Sequence, residues 1–153
     1  CCQLIANLHN MFVEELRLKY IIERNQIDNI RDMIVMPGYI ENKDLPYIYN
    51  NAFAFLYPSL RESFGIPLLE AMACGTPVIT SNTSSMPEIG GPNAILINPE
   101  NPDEITEMML KLERDSDFYS RQEEIGLHQA SLFSWRQTAE QLLELYEEVR
   151  KEL

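Results

Sequence analysis

The chain has 153 residues, 45% of them hydrophobic and 24% charged, and a formal net charge of −12. That length and composition suit one globular domain with a real core. The acidic excess excludes nucleic acid and anionic lipid as charge partners, since both are gripped by clustered Lys and Arg; it reads as solvated helix faces.

Short apolar runs alternate with helical patterns, the signature of α/β proteins. In chain order, buried parallel strands are expected at Gln3 to Ala6, Met33 to Met36, Ala52 to Tyr57, Pro77 to Thr80 and Ala94 to Ile97. Helices are expected at Phe12 to Arg24, Asp44 to Asn51 and Pro67 to Cys74, the last with Pro67 in its first turn and Gly75 just past its end. After the turn Asn98-Pro99-Glu100-Asn101-Pro102 the pattern becomes helical, at Asp103 to Glu113, Asp117 to Ser131 and Trp135 to Leu153. Ser134 is the expected N-cap of the last helix, and Asp117 of the one before it. Strand–helix–strand units with short links predict a doubly wound, Rossmann-like parallel sheet, followed by several helices.

Three cysteines, an adjacent pair and Cys74, form neither a disulfide framework nor a zinc spacing, and His9 and His128 carry no ligand pattern. Reduced thiols and a cytoplasmic address are expected. No apolar run approaches the ~20 residues of a membrane span, and no signal-peptide pattern opens the chain. The chain begins at CCQLIAN and reads as a fragment of something longer. Asp115-Ser116-Asp117 is a D-x-D, but it separates two helices far from the strand edges, and no metal is assigned to it.

The informative stretch is RESFGIPLLEAMACGTPVIT, where Glu62 and Glu70 bracket a Gly-Ile-Pro interruption. In open α/β sheets, ligands bind beyond the carboxyl ends of the strands. Glu62 falls on the loop after the strand ending at Tyr57, and Glu70 about one turn into the next helix. Backbone N–H groups of Ser63, Phe64, Gly65 and Ile66, together with the helix start, offer an anion site. The carboxylates would accept hydrogen bonds from sugar hydroxyls on either side, and Gly65 would let a ligand approach the backbone. Ribose, diphosphate and hexose in that order match this arrangement. Glutamates near a helix start also serve the dipole alone. The run from Thr80 to Ser85 either lines the cleft with hydroxyl donors or is simply a turn. Arg61 reads as a solvated side chain, Cys74 as packed and Tyr47 as core.

The stretch GYIENKDLPYIYNNAFAFLYPSLRESFGIPLLEAMACGTPVITSNTSSMPEI resembles the C-terminal half of the group 1 glycosyltransferases, retaining enzymes of the two-Rossmann-domain (GT-B) fold. The resemblance runs from about Met33 to the final helix and includes Phe133-Ser134-Trp135. It implies a single donor-binding domain over residues 1–153, truncated at its N-terminal edge, with the acceptor-binding domain outside the chain. By the same resemblance Glu62, the first glutamate of the E-x7-E motif, is catalytic: it lies against the donor sugar and supports charge at the anomeric carbon. Glu70 takes the ribose hydroxyls, and the amides of Ser63, Phe64 and Gly65 meet sugar and phosphate. Ile66 and Leu69 pack beside the nucleotide, and Gly38 and Tyr39 lie beside the base. Pro87-Glu88 resembles the start of a short helix, with Glu88 a cap or dipole partner.

The family's loop of Gly followed by Arg and Lys, which neutralises the diphosphate, has no counterpart in residues 1–20; Arg17 and Lys19 read as exposed helix positions. The fragment is therefore expected to be catalytically incomplete alone. The implied activity is transfer of a hexose or deoxyhexose from a nucleoside diphosphate to an acceptor hydroxyl, in polysaccharide or glycolipid synthesis. It needs no metal or cofactor beyond the nucleotide-sugar donor. A glycan or lipid-linked acceptor, and any approach to the inner membrane face, would come through the other domain. The rival readings are a nucleotide-sugar epimerase or hydrolase of the same fold, and a non-catalytic scaffold.

Overall fold

The computed structural model describes residues 4–5, 34–35 and 37–152. The chain divides into two compact units, Cys1–Phe53 and Ala54–Leu153. In the first, strand β1 (Leu4–Ile5) runs parallel to β2 (Ile34–Val35), with Leu4 opposite Ile34 and Ile5 opposite Val35. Pro37 and Gly38 follow, and Gly38 takes a left-handed φ of 82°. Helix α1 (Leu45–Asn51) has a proline in its first turn and stops where Ala52 becomes extended. The helix expected at Phe12 to Arg24, and the outer residues of the first two expected strands, lie outside the described residues.

Tyr47 was expected in the core and is 72% exposed; Tyr49, 5% exposed, fills the buried place. Residues two positions apart on a helix point about 200° apart, so the two rings cannot share a face.

The second unit holds β3 (Phe55–Tyr57), β4 (Val78–Ser81) and β5 (Ile95–Ile97), all parallel in the order β3-β4-β5. Phe55 pairs with Val78 and Tyr57 with Thr80, while Ile79 pairs with Ile95 and Ser81 with Ile97. Every residue of β4 is buried, as for a parallel strand covered on both faces. These are the parallel strands and intervening helices expected of an α/β sheet.

Helix α2 (Ile66–Ala73) connects β3 to β4. Its end is a Schellman motif: Gly75 N donates to Met72 O (2.9 Å) and Thr76 N to Ala71 O (3.1 Å), with Gly75 at φ 75°. Thr76-Pro77 then leads the chain into β4. The inner face of α2 buries Leu68, Ala71 and Met72. It lies against α5 (Ser116–Ser131), where a Cβ on Gly126 would come within 3.4 Å of Met72. The short α3 (Met86–Gly90) leads to β5.

Helix α4 (Pro102–Arg114) is capped by Asn101, whose side chain accepts from Asp103 N. The cap of α5 is Asp115, not Asp117: Asp115 Oδ1 accepts from Phe118 N at 2.8 Å. A cap bonds the amide two or three residues on, so once the helix starts at Ser116 the second aspartate falls inside its first turn, where it still complements the dipole. Helix α6 (Trp135–Glu152) has the expected Ser134 cap, with Gln137 N donating to Ser134 Oγ at 3.1 Å. Its apolar residues Leu142, Leu143, Tyr146 and Val149 keep helical spacing but are all exposed. No described helix is long and apolar enough to cross a membrane.

Leu68 is fully buried, beside the end of α3. Leu68→Ala is expected to lower stability by about 2–5 kcal/mol, from lost transfer energy plus the cavity left behind. Denaturant unfolding checks this, with the midpoint falling at an unchanged slope.

Candidate functional site

Because β3 and β4 are parallel neighbours, the loops leaving their carboxyl ends emerge on the same edge of the sheet. The loop after β3 carries Glu62, and the turn after β4 carries Ser84 and Ser85. Thr80, wholly buried near the end of β4, ties the strand ends together by donating from Oγ1 to Tyr57 O at 2.9 Å.

Glu62 is held at every polar atom. Tyr57 OH donates to Oε2 at 2.7 Å, and Ser63 N donates to Oε1 at 2.9 Å. Its main-chain N donates to Ser84 Oγ at 3.2 Å, and the Glu62 carbonyl accepts from Ser84 Oγ and Ser85 Oγ. The Tyr57 hydroxyl, then the Ser63 amide, hold the Glu62 carboxyl below the usual range, against a smaller opposing effect of burial. Burial, and then the bond to the Glu62 carboxylate, push Tyr57 up to about 12, so it remains a neutral donor at physiological pH. The result is an ionised carboxylate fixed at the sheet edge.

Gly65 caps α2 at φ 104°, ψ 47°. A Cβ there would meet Met86 Cε at 2.4 Å. The positive φ by itself calls for glycine at this position, and shifting the methionine tip would add to the cost of any side chain, before any ligand is considered. Phe64, 43% exposed, meets Phe133 edge-on at 6.1 Å. Ile66 is exposed at the start of α2 and Leu69 is half-buried. Glu70 is exposed in the next helical position, and its charge adds to burial in raising the Cys74 thiol one turn further on.

The structure thus places Ser63, Phe64 and Gly65 with Glu62 in one loop, and Ile66, Leu69 and Glu70 along the helix it enters. The amide of Ser63 points at the Glu62 carboxylate. Gly38 and Tyr39 belong to the first unit, Tyr39 with 78% of its surface exposed. Arg61 is exposed. The residues that sequence reasoning passed over are Tyr57, whose place in an apolar strand hid its hydroxyl, and the specific partners of Ser84 and Ser85. Tyr57 and Glu62 are five positions apart, and a tyrosine ending a strand just before the loop that carries a glutamate is the signal that was available.

Removing the tyrosine hydroxyl should return the Glu62 carboxyl toward its ordinary value. In Tyr57→Phe, a carboxyl-carbon NMR titration is expected to show the Glu62 midpoint moving up. The sign of the linkage follows: a depressed carboxyl stabilises the fold above its unfolded-state value and loses that contribution as pH falls through the folded-state value. The stability difference between wild type and Tyr57→Phe should accordingly shrink on acidification. Gly65→Ala is expected to destabilise at every pH by about 1–3 kcal/mol, from strain at positive φ and displacement of Met86, as read by thermal unfolding.

Residues 5–129 match the family model for glycosyl transferases group 1. The O-antigen chain mannosyltransferase B of Escherichia coli is 40% identical over 109 residues, which cover 71% of this chain and 29% of the relative. Among solved structures, sucrose-phosphate synthase from Thermosynechococcus elongatus superposes with a TM-score of 0.82 at 24% identity, covering 99% of this chain and 39% of that one. The Anabaena protein HepE, solved in complex with UDP and glucose, superposes with a TM-score of 0.78 at 20% identity over 94% of this chain and 39% of that one. These structural likenesses speak for the GT-B fold. The chain spans less than a third of the E. coli relative's length. With most of its length matched by the family model, the chain belongs to the group 1 glycosyl transferases.

Proposed function

We propose that this chain is the nucleotide-sugar-binding domain of a retaining mannosyltransferase that extends a polysaccharide. The observation that carries the reading is the Glu62 carboxylate, ionised and held by Tyr57 and the Ser63 amide at the carboxyl edge of β3 and β4. The sugar assignment follows the E. coli relative, named an O-antigen chain mannosyltransferase. The donor is a nucleoside diphosphate mannose, the acceptor a sugar hydroxyl bound by the rest of the natural chain, and the address cytoplasmic.

As the bond from the anomeric carbon to the diphosphate breaks, positive charge gathers on the sugar and negative charge on the leaving group. Glu62, fixed in advance, stabilises the first without having to reorganise. The amides around Gly65 and the start of α2 favour the second, and Glu70 accepts from the ribose hydroxyls. Ile66 and Leu69 line the nucleotide. The chemistry needs positioning and fixed charge rather than a proton relay.

The test uses the longest natural chain carrying this sequence. GDP-mannose, UDP-glucose and free GDP and UDP are titrated by calorimetry, and transfer to a mannose-terminated oligosaccharide is followed by mass spectrometry. Glu70→Ala is expected to weaken donor binding about tenfold or more, the worth of a lost charged hydrogen bond. Glu62→Gln is expected to lower kcat by about 10²–10³ with donor affinity little changed. Unchanged donor affinity in Glu70→Ala would remove the ribose role. Release of free mannose, or conversion of the donor to its epimer without transfer, would favour the hydrolase or epimerase reading.

A further inference from the structure

Among the described residues, Ser84 is the non-glycine residue with positive φ, at 58°. Left-handed backbone is disfavoured for any residue with a Cβ, and it persists where the surroundings over-determine it, often at functional sites. Glycine would take this conformation without strain. What the serine adds is a hydroxyl, and both hydrogen-bonding faces of that hydroxyl are used on one residue. Ser84 Oγ donates to Glu62 O at 2.5 Å and accepts from Glu62 N at 3.2 Å.

Ser85 supplements the grip. Its Oγ lies 3.0 Å from Glu62 O and 3.1 Å from Phe64 O, sharing one proton between two carbonyls. The loop around Glu62 belongs to no helix or strand, so these bonds replace the main-chain partners that regular structure would supply. Tyr57 and Ser63 hold the tip of the glutamate, while Ser84 holds its root from a segment 22 residues away.

We propose that Ser84 is a positioning residue for Glu62: its hydroxyl pins the Glu62 main chain, so that the carboxylate meets the donor sugar in one geometry. The role rests on the reading of Glu62 as the carboxylate that stabilises charge on the sugar. A loosened root leaves donor binding to the helix start and Glu70, but lets the carboxylate wander when positive charge develops. The loss then falls on the transition state rather than on the ground-state complex.

The longest natural chain, with its donor and acceptor, supplies the test. Ser84→Gly removes the hydroxyl and suits the left-handed backbone, so its melting temperature should not fall. Its kcat is expected to drop about tenfold to a hundredfold, with the donor KM within about twofold of wild type. Ser84→Asn tolerates positive φ and carries both a donor and an acceptor, and should recover part of the lost kcat. A Ser84→Gly enzyme with wild-type kcat, in a preparation where Glu62→Gln is inactive, overturns the proposal. So does a Ser84→Gly chain that melts early and loses kcat and KM together, the mark of a merely structural residue. If Glu62→Gln itself keeps wild-type kcat, the reading of Glu62 falls first, and the role of Ser84 falls with it.

Discussion

Parallel pairing between Phe55–Tyr57 and Val78–Thr80 is the constraint on which the site depends. Antiparallel strands would send their loops to opposite ends, whereas parallel strands need a crossover and deliver both loops to one edge. Helix α2 is that crossover, and its boundaries are set locally by Gly65 at one end and the Schellman motif at the other. The same short segment thus connects the two strands and continues the Glu62 loop into its helix. A bidding contest between fold and function does not arise, because Leu68, Ala71 and Met72 face the core while Ile66 and Glu70 face outward.

Electrostatics at the edge follow from this arrangement. The chain carries a net charge of −12, yet Glu62 sits among donors: a phenol, an amide and, through its main chain, two hydroxyls. Local hydrogen bonds outweigh the distant acidic helix faces because exposed charges are screened over about 10 Å of salt solution, while a bond at contact distance is not. A carboxylate surrounded in this way stays ionised without a neighbouring cation.

Much of the fold was legible because its signals are local. Apolar runs marked β3, β4 and β5, and Pro67 and Gly75 marked the ends of α2 within a residue of where they fall. The E-x7-E stretch is contiguous, so one loop and the helix it enters carry Glu62 to Glu70. What stayed hidden was long-range. Ser84 bonds a residue 22 positions away, and Met86, packed on Gly65 from 21 positions later, adds to the strain that the left-handed φ already sets there. Asp115 and Asp117 carry the same capping chemistry, so only the helix start decides between them. Tyr47 was expected in the core, and only the phase of α1 gives the buried face to Tyr49 instead.

Among the described residues, β4 is the inner strand of a three-stranded sheet and β3 lies on its flank. Strands bonded on both sides are the last to open in native-state fluctuations, and flanking strands open sooner. Tyr57 and Glu62 ride on the flank, whereas Ser84 hangs from the inner strand. Partial fraying of this sheet would therefore carry the carboxylate and its phenol away together and leave the serine behind, so amide exchange at Glu62 reports the same opening that parts the carboxylate from Ser84.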